Sequence, residues 1–417
     1  MLKNLLIIST KYIFIVTTVL ALIVAQSGNL VHADQNNEIP ADKIKQFVDI
    51  FQKIKKQYVD DVDDQTLFDY AIKGMVTGLD PHSTYMSNDE YEELKIGTTG
   101  KFGGIGIEIT MEDGFVKIVA PIDDTPASRA GLKSGDLVIE VDDVSLRNKS
   151  INEAVKLMRG KPGTEVDVTI LRKNVNDPIE ITITRQIIVT KGIKSEIFFE
   201  NIGYIRLASF QSNSTNDLEK EVIKLKQQTK NKLVGLVLDL RNNPGGVLGS
   251  AVGISDLFLK EGKIVYTKGR TATSDLEYYA TPQDILETLP IIVMINGGSA
   301  SASEIVAGAL QDNGRATVVG SKSFGKASVQ TIQELYDGSA LKLTTAKYYT
   351  PKGRDIHKEG INPDIIFETK KDDEKNSDSS ILKKPFDKDS ELFQAVKLLQ
   401  KLAASNINFI NHLTSKN

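Results

Sequence analysis

Pro290-Ile-Ile-Val-Met-Ile-Asn-Gly-Gly-Ser-Ala-Ser-Ala-Ser-Glu-Ile-Val-Ala-Gly-Ala-Leu310 decides how this chain reads. It opens with an apolar run, the pattern of a strand buried on both faces. Gly297-Gly298 ends that run, and small residues lead into Ser303-Glu-Ile-Val-Ala-Gly-Ala-Leu310, which suits a helix. Ser299, Ser301 and Ser303 therefore fall on a tight turn that opens a helix, where N–H groups are unpaired and the dipole favours negative charge. A hydroxyl placed there has donors at hand for a developing oxyanion, but it still needs a base. Downstream, Ala316-Thr-Val-Val-Gly320 reads as a second strand and leads to Ser323-Phe-Gly-Lys-Ala327. Lys326 serves as a base only when neutral, a state that burial favours. A serine at a helix start is also the ordinary N-cap, and a lysine in a glycine loop an ordinary surface charge. These residues alone leave both readings open.

Histidine is the commoner base in serine catalysis. The chain has four histidines: His32, His82, His357 and His412. His32 lies in the leader-like region and His412 near the C-terminus, while His82 sits in the loop-like Asp80-Pro-His-Ser-Thr-Tyr85. His357, in Gly353-Arg-Asp-Ile-His357, is the rival to Lys326.

Taken together, Gly298-Ser-Ala-Ser-Ala-Ser-Glu-Ile305 and Ser323-Phe-Gly-Lys-Ala-Ser-Val-Gln330 resemble the active-site signature of the C-terminal processing peptidases, or tail-specific proteases. These are serine endopeptidases that use a Ser-Lys pair. The resemblance implies that Ser301 is the nucleophile, that Lys326, 25 positions later, is its base, and that Gln330 orients the lysine. Ala327 is a departure, because many relatives carry glycine there. Asp239-Leu-Arg-Asn-Asn-Pro-Gly-Gly246 follows the buried-strand pattern of Lys232–Leu240 and resembles the family's second signature. It implies an oxyanion hole made by the N–H groups of Gly246 and Ala302, with Gly245 the weaker choice. No cofactor is implied.

The remaining segments fit the same resemblance. Residues 98–187 carry short alternating strands and glycine turns that look like a PDZ domain, with Phe102-Gly103-Gly104-Ile105-Gly106 as the loop that takes a terminal carboxylate. Asp80–Met86 resembles the element that precedes this module and reads as structural; Ala340–Tyr349 reads as cover for the end of the core rather than as chemistry. The fold class expected is α/β (mixed α+β), a ClpP/crotonase-like serine protease core with a PDZ domain and a helical N-terminal region. The divisions are a signal peptide or membrane anchor at 1–33, a helical region at 34–97, the PDZ domain at 98–187, the protease core at 188–369, a linker at 370–388 and a helical tail at 389–417.

Composition agrees with that reading. Lys and Arg number 51 against 55 Asp and Glu, spread without a basic groove, so nucleic acid is not an expected partner. The absence of cysteine excludes thiol catalysis, disulfides and cysteine-ligated zinc, and the histidines lack HExxH-type spacing, so no metal site is expected. Lys3 and Lys11, the apolar Tyr12–Ala25 and Val31-His-Ala33 read as an export signal, which places the protein in the periplasm or on the extracytoplasmic face of the inner membrane. Membrane association through that segment is the other outcome. Expected partners are protein or peptide substrates with apolar C-terminal tails, with a homo-oligomer or an adaptor protein left open. The contrasting functions are a silent PDZ adaptor or chaperone and a small-molecule acyl hydrolase or hydratase.

Overall fold

Alternate residues of the apolar strands that follow residue 192 divide between two cores, and this division builds the C-terminal part of the chain. The computed structural model describes residues 40–112, 114–190, 192–367 and 389–414. The expected leader at 1–33 and the expected linker at 370–388 lie outside them. Among the described residues no helix is long and apolar enough to cross a membrane. The chain divides into two units, Met1–Gly74 and Met75–Asn417.

In the first unit, α1 (Ala41–Gln57) is followed by α2 (Asp64–Thr77), whose start is capped by Asp63 through the Thr66 N–H at 2.9 Å. Phe51 and Phe68 pack with ring centroids 4.8 Å apart, and Phe47 adjoins both. Ile44, Phe47, Val48, Phe51 and Ile54 recur at helical spacing along α1, yet this apolar face stays half open: Ile44 is 50% exposed and Val48 43%.

The second unit begins with β1 (Thr84–Met86) and α3 (Asn88–Thr99), the latter opened by a reciprocal Ser87–Glu90 cap and ended by Gly100 in the left-handed region. There follow β2 (Lys101–Gly104), β3 (Ile107–Glu112), β4 (Phe115–Pro121), the one-turn α4 (Pro126–Arg129), β5 (Leu137–Val141), β6 (Val144–Ser145), α5 (Ile151–Met158), β7 (Glu165–Leu171), β8 (Ile179–Thr184) and β9 (Gln186–Val189). Strands β3-β4-β5-β7-β8 form an antiparallel sheet with β3 on its edge, and β2 pairs with β9. The inward residues Val116, Ile118, Val138, Val168 and Ile170 are fully buried with Ala154 and Met158 of α5. Each such aliphatic side chain contributes about 1.5–3 kcal/mol through burial.

The rest of the second unit contains β10 (Ile193–Phe198), β11 (Ile202–Leu207), α6 (Ser214–Gln228), β12 (Gly235–Asp239), α7 (Leu248–Asp256), β13 (Lys263–Gly269), β14 (Glu277–Tyr279), β15 (Ile291–Ile295), α8 (Ala302–Asp312), β16 (Ala316–Gly320), β17 (Ser328–Glu334), β18 (Ala340–Tyr349), β19 (Ile365–Ile366) and α9 (Ser390–Thr414). Strands run in the order β10-β11-β12-β15-β16-β19, parallel from β11 onward. On one face Leu236, Leu238, Ile291, Val293 and Ile295 pack with α6, α7 and α8. On the other Val237, Ile292 and Met294 pack with Leu392, Val396 and Leu399 of α9. A sheet covered on both faces needs continuous apolar strands, which is why the Pro290–Ile295 run does not alternate. A second, antiparallel sheet runs β1-β18-β13-β14, with β17 also paired to β18. Its β1–β18 pairing, Thr84 against Lys342, brings the Asp80–Ser83 turn onto the sheet that carries Gln330.

Candidate active site

Strand β15 ends at Ile295, and the chain turns through Asn296–Ala300 into α8. Ser299 and Ser303 are wholly buried, and their hydroxyls donate to the carbonyls of Leu240 at 2.8 Å and Asn243 at 2.9 Å. Both are thereby committed to holding the turn. Ser301 differs in being partly exposed and in having φ +57° with ψ −113°. A non-glycine residue pays strain for a positive φ, and such strain gathers where a surrounding structure fixes a side chain for function.

The loop after β12 is stitched to the same turn. Asn243, fully buried, donates through Nδ2 to Leu207 O at 2.8 Å, accepts the Gly245 N–H at 2.9 Å on Oδ1, and takes the Ala300 N–H at 3.0 Å on its carbonyl. A Cβ on Gly245 would stand 2.8 Å from the Ser301 Cβ and 3.0 Å from the Ala302 nitrogen, so only glycine lets this loop come so close to the Ser301 turn. The Gly245 N–H is spent on Asn243, whereas the N–H groups of Gly246 and Ala302 have no hydrogen-bond partner among the described residues. Gly246 is required for a second reason: a Cβ there would lie 2.1 Å from the Phe210 carbonyl oxygen.

Glu304 joins the two halves of the site. Its wholly buried carboxylate accepts four hydrogen bonds: from the N–H groups of Ser301 at 2.8 Å and Lys326 at 2.9 Å on Oε2, and from the Gly325 N–H at 2.7 Å and the Ser323 hydroxyl at 2.6 Å on Oε1. The Ser323 oxygen in turn accepts the Ile361 N–H at 2.6 Å. From the opposite side the Tyr348 hydroxyl lies 3.1 Å from the Ser301 carbonyl and closer still to that of Lys326, with one proton to donate between them. Burial holds the Tyr348 proton on well above the usual tyrosine range. The backbones of the predicted nucleophile and base are thus tied by one carboxylate and one phenol. Sequence reading took Glu304 as a helix residue and Ala340–Tyr349 as cover; the second reading is corrected here, because β18 supplies Tyr348 to the site. The only available signal was a glutamate inside an otherwise apolar helix, an arrangement that requires partners.

Lys326 is half-buried, and its amine makes no hydrogen bond or ion pair among the described residues. Burial pushes its pKa down and the charge of Lys342 adds to this, against the pull of Asp80 and Glu304 upward. Gln330, on the bulged β17, makes no hydrogen bond to that amine: its Nε2 donates to Ser328 Oγ at 3.0 Å and Thr344 Oγ1 at 3.3 Å. Among the described residues His357 makes no hydrogen bond to Ser301, its Nδ1 is buried without a partner, and no carboxylate bonds to its ring. A histidine triad lacks its orienting acid there. His82, held below its ordinary pKa by burial and by Lys326, belongs to the same neighbourhood, so Asp80–Met86 lies at the site and is more than the structural element the sequence suggested.

In the antiparallel domain, Ile105 and Gly106 leave their N–H groups without partners among the described residues, while their carbonyls take the N–H groups of Ala127 at 2.8 Å and Ile122 at 2.9 Å. Gly106 has φ +82°, and a Cβ there would meet Thr125 at 2.4 Å. Adjacent free N–H groups with one left-handed residue form a concavity suited to an anion. Phe102, Gly103 and Gly104 lie on β2, with Gly103 against the Gly160 carbonyl and Phe102 beneath the Arg159 guanidinium at 4.8 Å. The exposed edge of β3 adjoins them. Among the described residues no cluster of side chains suits a metal ion.

Comparison with known proteins matches these parts in turn. The profile of peptidase family S41 fits residues 201–367, that of a PDZ domain fits 103–183, and that of the activating protease CtpB N-terminal domain fits 6–90. The carboxy-terminal-processing protease of Bartonella bacilliformis is 48% identical over 335 residues, covering 80% of this chain and 77% of that protein. The carboxy-terminal processing protease CtpA of Bacillus subtilis is 36% identical over 362 residues, covering 86% and 76%. A solved photosystem II D1 C-terminal processing protease is 28% identical, covering 79% of this chain and 94% of that one, with a TM-score of 0.45.

Proposed function

The chain belongs to peptidase family S41, the carboxy-terminal processing proteases, and is a serine-type peptidase with a PDZ domain; from that premise we propose that it captures protein C-terminal tails and cuts them by a Ser-Lys mechanism. Neutral Lys326 takes the proton of the Ser301 hydroxyl as Oγ bonds to the scissile carbonyl carbon. The oxyanion is held by the N–H groups of Gly246 and Ala302, and Gln330 orients the amine. The lysine ammonium then returns the proton to the leaving nitrogen as the C–N bond breaks. Water, deprotonated by Lys326, releases the acyl group and restores Ser301.

The observation that carries this reading is Glu304, whose one carboxylate holds the backbones of Ser301 and Lys326 together beside two unpartnered N–H groups. It is supported by the half-buried, depressed amine and by a histidine rival that lacks an acid. The tail is taken by main-chain pairing along β3, with its carboxylate on the N–H groups of Ile105 and Gly106, the two residues between β2 and β3, and its apolar side chains toward α5. Export follows from the leader-like sequence at 1–33. The test is mass analysis of fragments from an unfolded protein offered with and without its last residues, to the native enzyme, Ser301→Ala and Lys326→Ala. Cleavage is expected only from the native enzyme and faster on the intact tail; full activity of either variant overturns the mechanism.

A further inference from the structure

The turn at Asp80–Ser83 reaches Gln330 through an unbroken chain of hydrogen bonds. The Asp80 carboxylate accepts the N–H groups of His82 at 2.7 Å and Ser83 at 3.0 Å and the Thr344 hydroxyl at 3.1 Å on Oδ1, and the Ser83 hydroxyl at 2.6 Å on Oδ2. An ionised carboxylate only accepts, so the single hydroxyl proton of Thr344 is committed to Asp80. The Thr344 oxygen can then only accept from Gln330, which must present its NH2 group, as it does at 3.3 Å. Ser328, buried, takes the same NH2 at 3.0 Å. The polarity of the Gln330 amide is thereby fixed, and its carbonyl oxygen is the end left without a partner among the described residues. The strand pairing that makes this possible joins positions some two hundred and sixty residues apart, Ser83 also accepting the Thr344 N–H at 3.0 Å.

We propose that Asp80 is a positioning residue for the catalytic lysine, acting through Thr344 to aim the carbonyl of Gln330 at the Lys326 amine and adding its own negative charge to the field there. The inference rests on the Ser-Lys reading. Two separable effects follow. Orientation depends on the Thr344 hydroxyl. The field depends on the Asp80 charge, which burial pushes toward protonation but which hydrogen bonds from Ser83, His82 and Thr344 keep ionised below the usual carboxylate range. The other charged or titratable groups that act on Lys326 or touch it are Lys342 of β18, Glu304 of α8, Tyr348 of β18, whose hydroxyl meets the Lys326 carbonyl, and His82, which also feels His357. Asp80 opposes Lys342: it favours the ammonium, so it holds the lysine's pKa up.

The experiment is kcat and KM against pH, with a tailed peptide, for the native enzyme, Asp80→Asn, Thr344→Val and Thr344→Ser, beside Lys326→Ala. Asp80→Asn keeps one oxygen to accept the His82 and Ser83 N–H groups and the Thr344 hydroxyl, turns an NH2 toward the Ser83 hydroxyl, which can rotate to accept, and removes the charge, so the acid limb of the profile is expected at lower pH. Thr344→Val keeps the charge and removes the link: kcat is expected to fall roughly 10-fold with KM and the acid limb unmoved, and Thr344→Ser to recover it. An unmoved limb in Asp80→Asn, or native kcat in Thr344→Val, overturns the proposal while inactive Lys326→Ala leaves the Ser-Lys reading standing. Activity in Lys326→Ala removes both. Should Asp80→Asn fail to fold, the Thr344 pair decides alone.

Discussion

Replacing Glu304 by glutamine changes one atom and tests whether a buried carboxylate assembles this site. Glutamine keeps one acceptor oxygen and puts an NH2 group in place of the other. If the amide group faces Ser301 and Lys326, two buried backbone donors confront a third donor. If it faces Gly325 and Ser323, the serine hydroxyl can rotate to accept, but the Gly325 N–H is orphaned and Ser323 loses its donation. Each unsatisfied buried donor costs about 1–3 kcal/mol, so Glu304→Gln is expected to lose about 1–6 kcal/mol of stability in the catalytic half. Thermal unfolding should report this as a drop of roughly 2–4 °C per kcal/mol for a domain of this size. The surviving folded enzyme should show kcat down by roughly 10²-fold, because the serine and lysine backbones are no longer held to one point, with tail binding by the PDZ domain unchanged. A Glu304→Gln enzyme with native melting temperature and native kcat would refute the reasoning.

Other outcomes are expected from the same geometry. Gly246→Ala places a Cβ 2.1 Å from the Phe210 carbonyl and displaces the N–H proposed as an oxyanion donor, so kcat should fall by roughly 10²- to 10³-fold in steady-state cleavage assays. Lys342→Gln removes a positive charge that, after burial, is the main influence depressing Lys326; its pKa rises, and the acid limb of the pH–rate profile should move to higher pH, the opposite of Asp80→Asn. Gly106→Ala, which drives a methyl into Thr125, should weaken capture of a tailed peptide and raise KM without lowering kcat on that peptide at saturation.

The parts of this molecule that were legible in the sequence are those where neighbours along the chain decide the structure. Ile291–Ile295 and Gly235–Asp239 are uninterrupted apolar runs because they are covered on both faces, and that is visible in composition alone. The helix start marked Ser299, Ser301 and Ser303 alike, and only the family resemblance pointed to Ser301; that the hydroxyls of Ser299 and Ser303 are spent on the Leu240 and Asn243 carbonyls is visible in the structure alone. What stayed hidden arises from pairings across long stretches of chain. Thr344 and Tyr348 enter the site because β18 pairs with β1 and β17, and no pattern within β18 announces it. Asp80 looks like a turn residue because it is one: its Asx turn hydrogen-bonds His82 and Ser83, and its remaining reach to Thr344 depends on a strand register that a single sequence does not carry. The apolar stripe of α1 shows the converse, a face that periodicity assigns to packing and that the first unit leaves half exposed.

The central claim is that one alcohol attacks with the help of one uncharged amine. Its most direct test is the rate and position of covalent labelling by a peptidyl fluorophosphonate, followed by peptide mapping of the modified protein. The account predicts a single adduct on the peptide containing Ser301, formed faster as pH rises through the depressed Lys326 pKa and lost in Lys326→Ala. An adduct on another residue, or labelling of Lys326→Ala at the native rate, would contradict it.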